Sequence, residues 1–167
     1  AAQIAPPLQT DAVSPDSPDR PDHFESPSGV YFEASEGKRQ DQVCFVVPGH
    51  GAQCVNMLKE LLLLHPDGLS IFEKADWLLE RFFEQPLSSY IYPPPAFNEA
   101  DRKQQEAALE DTSVAQPALS AVGLFALDVL RRYNLKPAFA AGNSHGEYVA
   151  LHVAGCLSEE ELLEVSA

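Results

Sequence analysis

The sequence predicts an α/β fold built on a parallel sheet, and three observations carry that expectation. Val43-Cys44-Phe45-Val46-Val47 is an unbroken apolar run, the pattern of a strand buried on both faces. From Leu119 to Leu130, apolar residues wrap nearly all the way round a helix, the pattern of a buried helix. Ala138-Phe139-Ala140-Ala141 reads as a second short strand that leads through Gly142 into a helical segment, Glu147 to Ala154. Strand, helices, strand, helix is the order of an α/β layer structure.

The elements follow in chain order. At 167 residues and 45% apolar content the chain can bury one core. Residues 1–40 read as a Pro-rich acidic linker without fixed structure, because Pro6, Pro7, Pro15, Pro18, Pro21 and Pro27 stand among Asp, Ser and Gln. Val30-Tyr31-Phe32 is a short extended piece within it. Residues 41–167 form the domain. After the first strand, Pro48-Gly49-His50-Gly51-Ala52-Gln53 is a sharp loop. Helices are expected over Met57 to Leu64 and Ser70 to Phe83. Tyr90-Ile91-Tyr92-Pro93-Pro94-Pro95 is expected to be extended. A polar helix runs from Asn98, its N-cap, to Leu109. Pro117 suits the first turn of the apolar helix, and Pro137 ends it. Ser158 and Glu161 make a capping box for a last helix that continues to Ala167.

Charge and cysteine usage narrow the function. With 25 acidic and 11 basic side chains the net charge is −14. That field repels phosphate backbones and anionic lipid, which argues against nucleic acid and membrane partners. It also disfavours long-range steering of coenzyme A or an acidic carrier protein. Cys44, Cys54 and Cys156 are odd in number and lack CxxC spacing, so they read as three buried thiols in a reducing compartment. No 18-residue apolar run and no basic-then-apolar N-terminal stretch is evident, and the cytoplasm is the expected location. No metal-ligand spacing, GxGxxG or P-loop is present, so no bound cofactor is expected.

Gly142-Asn143-Ser144-His145-Gly146 matches GxSxG. Five residues alone say little, since a glycine-rich turn with a solvated serine gives the same letters. The setting adds weight, because the motif follows an apolar strand and opens a helix, as a nucleophile elbow does. Flanking glycines let the chain turn tightly. The helix N-terminus behind the serine supplies N–H groups and a positive dipole end for an oxyanion. Among the histidines, His23 lies in the linker, His65 ends a helix, and His152 is a packed or surface residue. Only His50 and His145 fall near Ser144. Of the two, His50 is the better candidate for a local base, because the side chains of Ser144 and His145 diverge on an elbow; the alternative is an ordinary loop histidine with no part in catalysis.

Four segments in order resemble the acyltransferase domain of type I polyketide and polyunsaturated fatty acid synthases and its malonyl-CoA:acyl carrier protein transacylase relatives. They are Val46 to Gln53 (family FPGQGxQ), Val114-Ala115-Gln116-Pro117-Ala118-Leu119 (xxQPAL), Gly142 to Tyr148 (GHSxGEY) and Ala154-Gly155-Cys156-Leu157-Ser158 (AGxLS). Tyr92-Pro93-Pro94-Pro95-Ala96-Phe97 resembles an insertion of iterative synthases of the polyunsaturated fatty acid, enediyne and heterocyst glycolipid kind. The resemblance implies the N-terminal part of an α/β-hydrolase-like large subdomain, without the ferredoxin-like small subdomain.

It implies roles as well. Ser144 is the acylated nucleophile, the backbone N–H groups of His50 and His145 are oxyanion donors, and Gln116 lines the acyl pocket. An acyl-CoA, expected to be malonyl-CoA, is the donor. The phosphopantetheine thiol of an acyl carrier protein is the acceptor. Other synthase domains, or the missing C-terminal half, are possible partners. Glu147 of the GEY is read as structural. Two positions depart from the pattern, since His50 stands for the family's Gln and Asn143 for its His beside the serine. The family's catalytic His lies well downstream, its substrate Arg lies just past Ala167, and only 23 residues follow Ser144. The expectation is therefore an incomplete acyltransferase, uncertain as an enzyme. The alternatives are a non-catalytic synthase remnant or interaction module, and an α/β serine hydrolase.

Overall fold

The computed structural model describes residues 23–25, 31–33 and 42–167. The chain forms two units, residues 1–41 and 42–167. In the first unit, β1 (His23–Glu25) pairs antiparallel with β2 (Tyr31–Glu33), with His23 opposite Glu33. Tyr31 and Phe32 thus lie in a strand, as expected. Val30 and the other linker residues at 1–22, 26–29 and 34–40 lie outside the described residues.

The second unit begins with β3 (Cys44–Val47), which pairs in parallel with β4 (Phe139–Gly142), Cys44 opposite Phe139 and Val47 opposite Gly142. Five helices intervene: α1 (Lys59–Leu64), α2 (Leu69–Leu79), α3 (Leu87–Ile91), α4 (Glu99–Glu110) and α5 (Thr112–Arg132). After β4 come α6 (Gly146–Val153) and α7 (Glu159–Ser166). The fold is α/β with a two-stranded parallel sheet, the class the sequence indicated.

The core centres on α5, which packs against α2, α3, α4, α6 and α7. Phe72, Leu79, Leu87, Ile91, Leu109, Phe125, Leu162 and Leu163 are buried there. An 18-residue window of α5 is apolar enough, at a mean hydropathy of 1.5, to cross a membrane by length and composition. The sequence reading did not credit the chain with such a segment. Two-thirds of that window is buried against the other helices, as in the central helix of a folded core.

Five other expectations need correction. First, β3 is not buried on both faces. Phe45 and Val47 pack against the core, while Val46 is 77% exposed and Phe139 of β4 is 59% exposed. Among the described residues, helices cover one face of this sheet only. Second, Cys44, Cys54 and Cys156 are all exposed rather than buried. Third, Tyr90 and Ile91 are helical rather than extended, because Leu87 and Ile91 at i and i+4 both enter the core. The Asp76 carboxylate of α2 accepts from the Ser88 N–H (2.8 Å) and Ser88 Oγ (2.6 Å), which caps α3. Fourth, Pro117 is not in a first turn. Asp111 caps α5 by accepting from the Ser113 N–H at 2.9 Å, so the helix starts at Thr112 and Pro117 lies inside it. Proline forfeits one helical hydrogen bond there, and burial of Val114, Ala115 and Ala118 around it holds the helix. Fifth, α2 stops at Leu79 and continues to Phe82 as a tighter 3-10 turn.

Both expected caps are present. Asn98 accepts from the Asp101 N–H at 2.8 Å. Ser158 Oγ accepts from the Glu161 N–H at 3.1 Å, and Glu161 Oε2 accepts from the Ser158 N–H at 2.8 Å. Ser158→Ala removes the first bond and is expected to cost about 1 kcal/mol. Thermal melts read by circular dichroism check it.

Candidate active site

Three residues join β4 to α6. Asn143 stays tied to the sheet, its N–H donating to the Val47 carbonyl at 3.1 Å. Ser144 then adopts a φ of 54°. This left-handed conformation costs a non-glycine residue roughly 1–2 kcal/mol. Helical bonds follow at once, from the Gly146 N–H to the Asn143 carbonyl and from the Glu147 N–H to the Ser144 carbonyl, each 3.0 Å. Ser144 is exposed, at the junction of strand and helix. A strained, accessible serine held by its surroundings is the geometry of a nucleophile elbow.

The glycines make this turn possible by close approach. A Cβ on Gly142 would collide with the Gly146 carbonyl, and one on Gly146 would lie 2.6 Å from the Pro48 carbonyl oxygen. A Cβ on Gly49 would lie 2.9 Å from Ser144 Cβ and strike the Asn143 carbonyl. The Pro48–Gly51 loop is therefore pressed against the elbow backbone. His50, next in that loop, is exposed.

His145 follows the serine in helical conformation (φ −53°, ψ −31°). Its N–H is among the first of α6, where no intrahelical acceptor exists. Its side chain turns inward and is 4% exposed, with Nε2 2.8 Å from Ser120 Oγ on α5. The histidine–serine hydrogen bond here is thus to Ser120 and not to Ser144. Burial holds the His145 imidazole below its ordinary 6.5; the Gln116 backbone carbonyl opposes that shift and the His50 charge adds to it. Gln116 is half-buried in α5, and its carbonyl faces this ring. Glu147 is exposed in the first turn of α6, where its charge suits the helix dipole. His152 is buried, with Nδ1 2.9 Å from the Leu157 carbonyl oxygen.

The structure thus gathers Ser144, His145, Gln116 and the His50 loop in one region. Ser120 went unnoticed in the sequence. The available signal was a hydroxyl among Ala118, Leu119, Ala121 and Val122, since a buried hydroxyl needs a partner. Among the described residues, no three His, Cys, Asp or Glu side chains are grouped to hold a metal. An apolar groove of about 690 Å³ runs between β3 and α5, lined in part by Phe45, Val47, Leu119, Val122 and Val149. It borders neither Ser144 nor Gln116 and lies along the sheet rather than at the elbow.

Comparison with known proteins agrees with this geometry. The family model described as the acyl transferase domain matches residues 44–167. The chain is 37% identical over 117 residues to the malonyl CoA-acyl carrier protein transacylase of Bacillus subtilis (strain 168), covering 70% of this chain and 32% of that protein. It is 30% identical over 143 residues to a polyunsaturated fatty acid synthase chain of Thraustochytrium sp., covering 82% of this chain and 5% of that protein. Among solved structures, a type II polyketide synthase acyl-carrier protein in complex with its malonyl-transacylase, PlMCAT:AntF, superimposes with a TM-score of 0.63 at 26% identity. That match covers 75% of this chain and 37% of the other. The chain spans about a third of the length of the transacylases it matches, and far less of the synthase.

Proposed function

Because this chain belongs to the acyl transferase domain family, we propose that Ser144 accepts an acyl group from an acyl-CoA, malonyl-CoA first among them, and passes it to an acyl carrier protein. The observation that carries the proposal is the left-handed, exposed Ser144 between β4 and α6. Ser144 Oγ attacks the thioester carbonyl carbon and its proton passes to a base. The carbonyl oxygen becomes an oxyanion, which the N–H groups of His145 and His50 would stabilise at the N-terminus of α6. The C–S bond breaks, and coenzyme A leaves as a thiol after protonation. A phosphopantetheine thiol on the carrier protein then attacks the seryl ester and releases Ser144. Relatives named for this transfer, and a relative bound to its carrier protein, support the reading.

The chemistry needs a base for Ser144. His145 is engaged with Ser120 inside the fold, which leaves His50 as the first candidate among the described histidines. The test is intact-mass spectrometry of the chain after incubation with malonyl-CoA, with peptide mapping of the adduct and Ser144→Ala as control. A malonyl ester on Ser144, absent from the control, would support acyl transfer by this chain with a base from its own residues. A folded chain that takes up no acyl group would overturn acyl transfer by this chain acting alone.

A further inference from the structure

Ser120 Oγ and His145 Nε2 form a buried hydrogen bond, 2.8 Å long, between the central helix and the residue after the candidate nucleophile. Ser120 is 0% exposed and His145 is 4% exposed. We propose that Ser120 is a positioning residue, which fixes the His145 backbone N–H and the strained Ser144 by clamping the His145 imidazole to α5. The proposal rests on the reading of Ser144 as the acyl acceptor.

The energetics favour placement over stability as the reason for the pair. A buried polar pair adds little net stability compared with apolar residues of the same shape. An apolar contact can slide, whereas a hydrogen bond has a direction. Here the bond locks the ring of the very residue whose N–H opens α6. Ser144 has reason to relax, because its φ of 54° is strained. The clamp lies one residue away and opposes that relaxation.

The ring chemistry gives the clamp a pH signature. His145 Nδ1 is buried without a partner. In the tautomer whose Nε2–H donates to Ser120 Oγ, Nδ1 is left as a bare acceptor. Protonation would add an N–H and a charge to a ring that is 4% exposed; the Gln116 carbonyl faces it, but burial outweighs that and favours the neutral imidazole. Of the groups around the ring, His50 adds to that preference and the Gln116 carbonyl opposes it. His50 faces it from its loop, and Tyr148 of α6 lies 5.7 Å away between ring centroids. From α5 it meets Ser120 and the Gln116 carbonyl. β3 and β4 bring no charged group. On α7, Glu159 and Glu160 pair with Lys74, Glu164 pairs with Arg81, and Glu161 caps Ser158. A folded-state pKa below the ordinary 6.5 means that the unfolded chain takes up the proton first. The stability contributed by the buried neutral ring is therefore complete above 6.5 and is lost as the pH falls from there toward the depressed folded value.

The test compares wild type, Ser120→Ala and His145→Gln in the full chain by two readouts. One is the rate of Ser144 acylation at saturating malonyl-CoA. The other is NMR amide exchange at Ser144, His145 and Gly146, corrected for the intrinsic pH dependence. Ser120→Ala is expected to slow acylation about tenfold at an unchanged half-saturating concentration, because misplaced donors cost turnover rather than binding. It should also speed exchange at these three amides while those of α7 hold. In wild type their exchange should accelerate below pH 6.5. In His145→Gln, whose amide reaches Ser120 but does not titrate, that acceleration should vanish. Ser120→Ala matching wild type in elbow exchange, or His145→Gln keeping the acid response, would overturn the clamp. If wild type takes up no acyl group, acyl transfer by the chain alone fails, and the exchange measurements still decide the clamp.

Discussion

Gly146→Ala is expected to destabilise the 42–167 unit by about 2 kcal/mol, although alanine is the better helix former. Two effects compete. Alanine at the start of α6 gains at most about 1 kcal/mol in helix propensity. Against this, the new Cβ would lie 2.6 Å from the Pro48 carbonyl oxygen and 2.9 Å from the Val47 carbonyl carbon. Those atoms are main chain at the end of β3, and the Val47 oxygen already accepts the Asn143 N–H at 3.1 Å. Overpacking against atoms that cannot turn aside typically costs about 1–3 kcal/mol, and here it outweighs the propensity gain. The only relief is for α6 to back away from the sheet, which pulls on Asn143 and lets Ser144 leave its left-handed conformation. Thermal melts should show a midpoint lowered by roughly 8 °C. Ser144 acylation should fall further than the loss of folded protein explains. A midpoint at or above wild type would mean that α6 does not press on β3 as the structure has it.

Which features were legible in the sequence depended on how local their physics is. The capping box of Ser158 and Glu161, the Asn98 cap and the Gly142–Gly146 elbow each close within a few residues, and each is present. Features set by distant neighbours were not legible. The run Val43 to Val47 indicated a strand, but whether both faces are covered depends on chain far from it, and Val46 stays open. Pro93 to Pro95 biased the reading of Tyr90 and Ile91 toward extended chain, while Leu87 and Ile91 had core partners that no local pattern reveals. The same holds at the site. GxSxG picked out Ser144, but the partner of His145 lies 25 positions away on α5. His145 was visible as a neighbour of the serine, and only the fold shows its ring turned away from it.

Phe125→Ala should be the most destabilising single truncation of this kind, costing about 3–5 kcal/mol. Its ring is fully buried at the middle of α5, tilted against Phe72 at 5.8 Å between centroids, and it leaves no room for a Cβ on Gly68. Rigid backbone on one side and an aromatic ring on the other keep the cavity from collapsing, which places the cost in the upper part of that range. A domain of this size has about 5–15 kcal/mol in all, so the variant should sit near its unfolding transition. Phe97→Ala makes the same chemical change at a side chain that is 93% exposed, and it should stay within about 0.5 kcal/mol of wild type. Urea unfolding compares the two, with the slope unchanged and only the Phe125→Ala midpoint displaced. The comparison also bears on the site. Phe125 shares α5 with Gln116 and Ser120, so its loss should reduce Ser144 acylation only in proportion to the folded fraction. Gly146→Ala should reduce it within the folded fraction as well. Equal behaviour of the two variants after that correction would mean that the elbow owes its geometry to the core as a whole rather than to the contact between Gly146 and the end of β3.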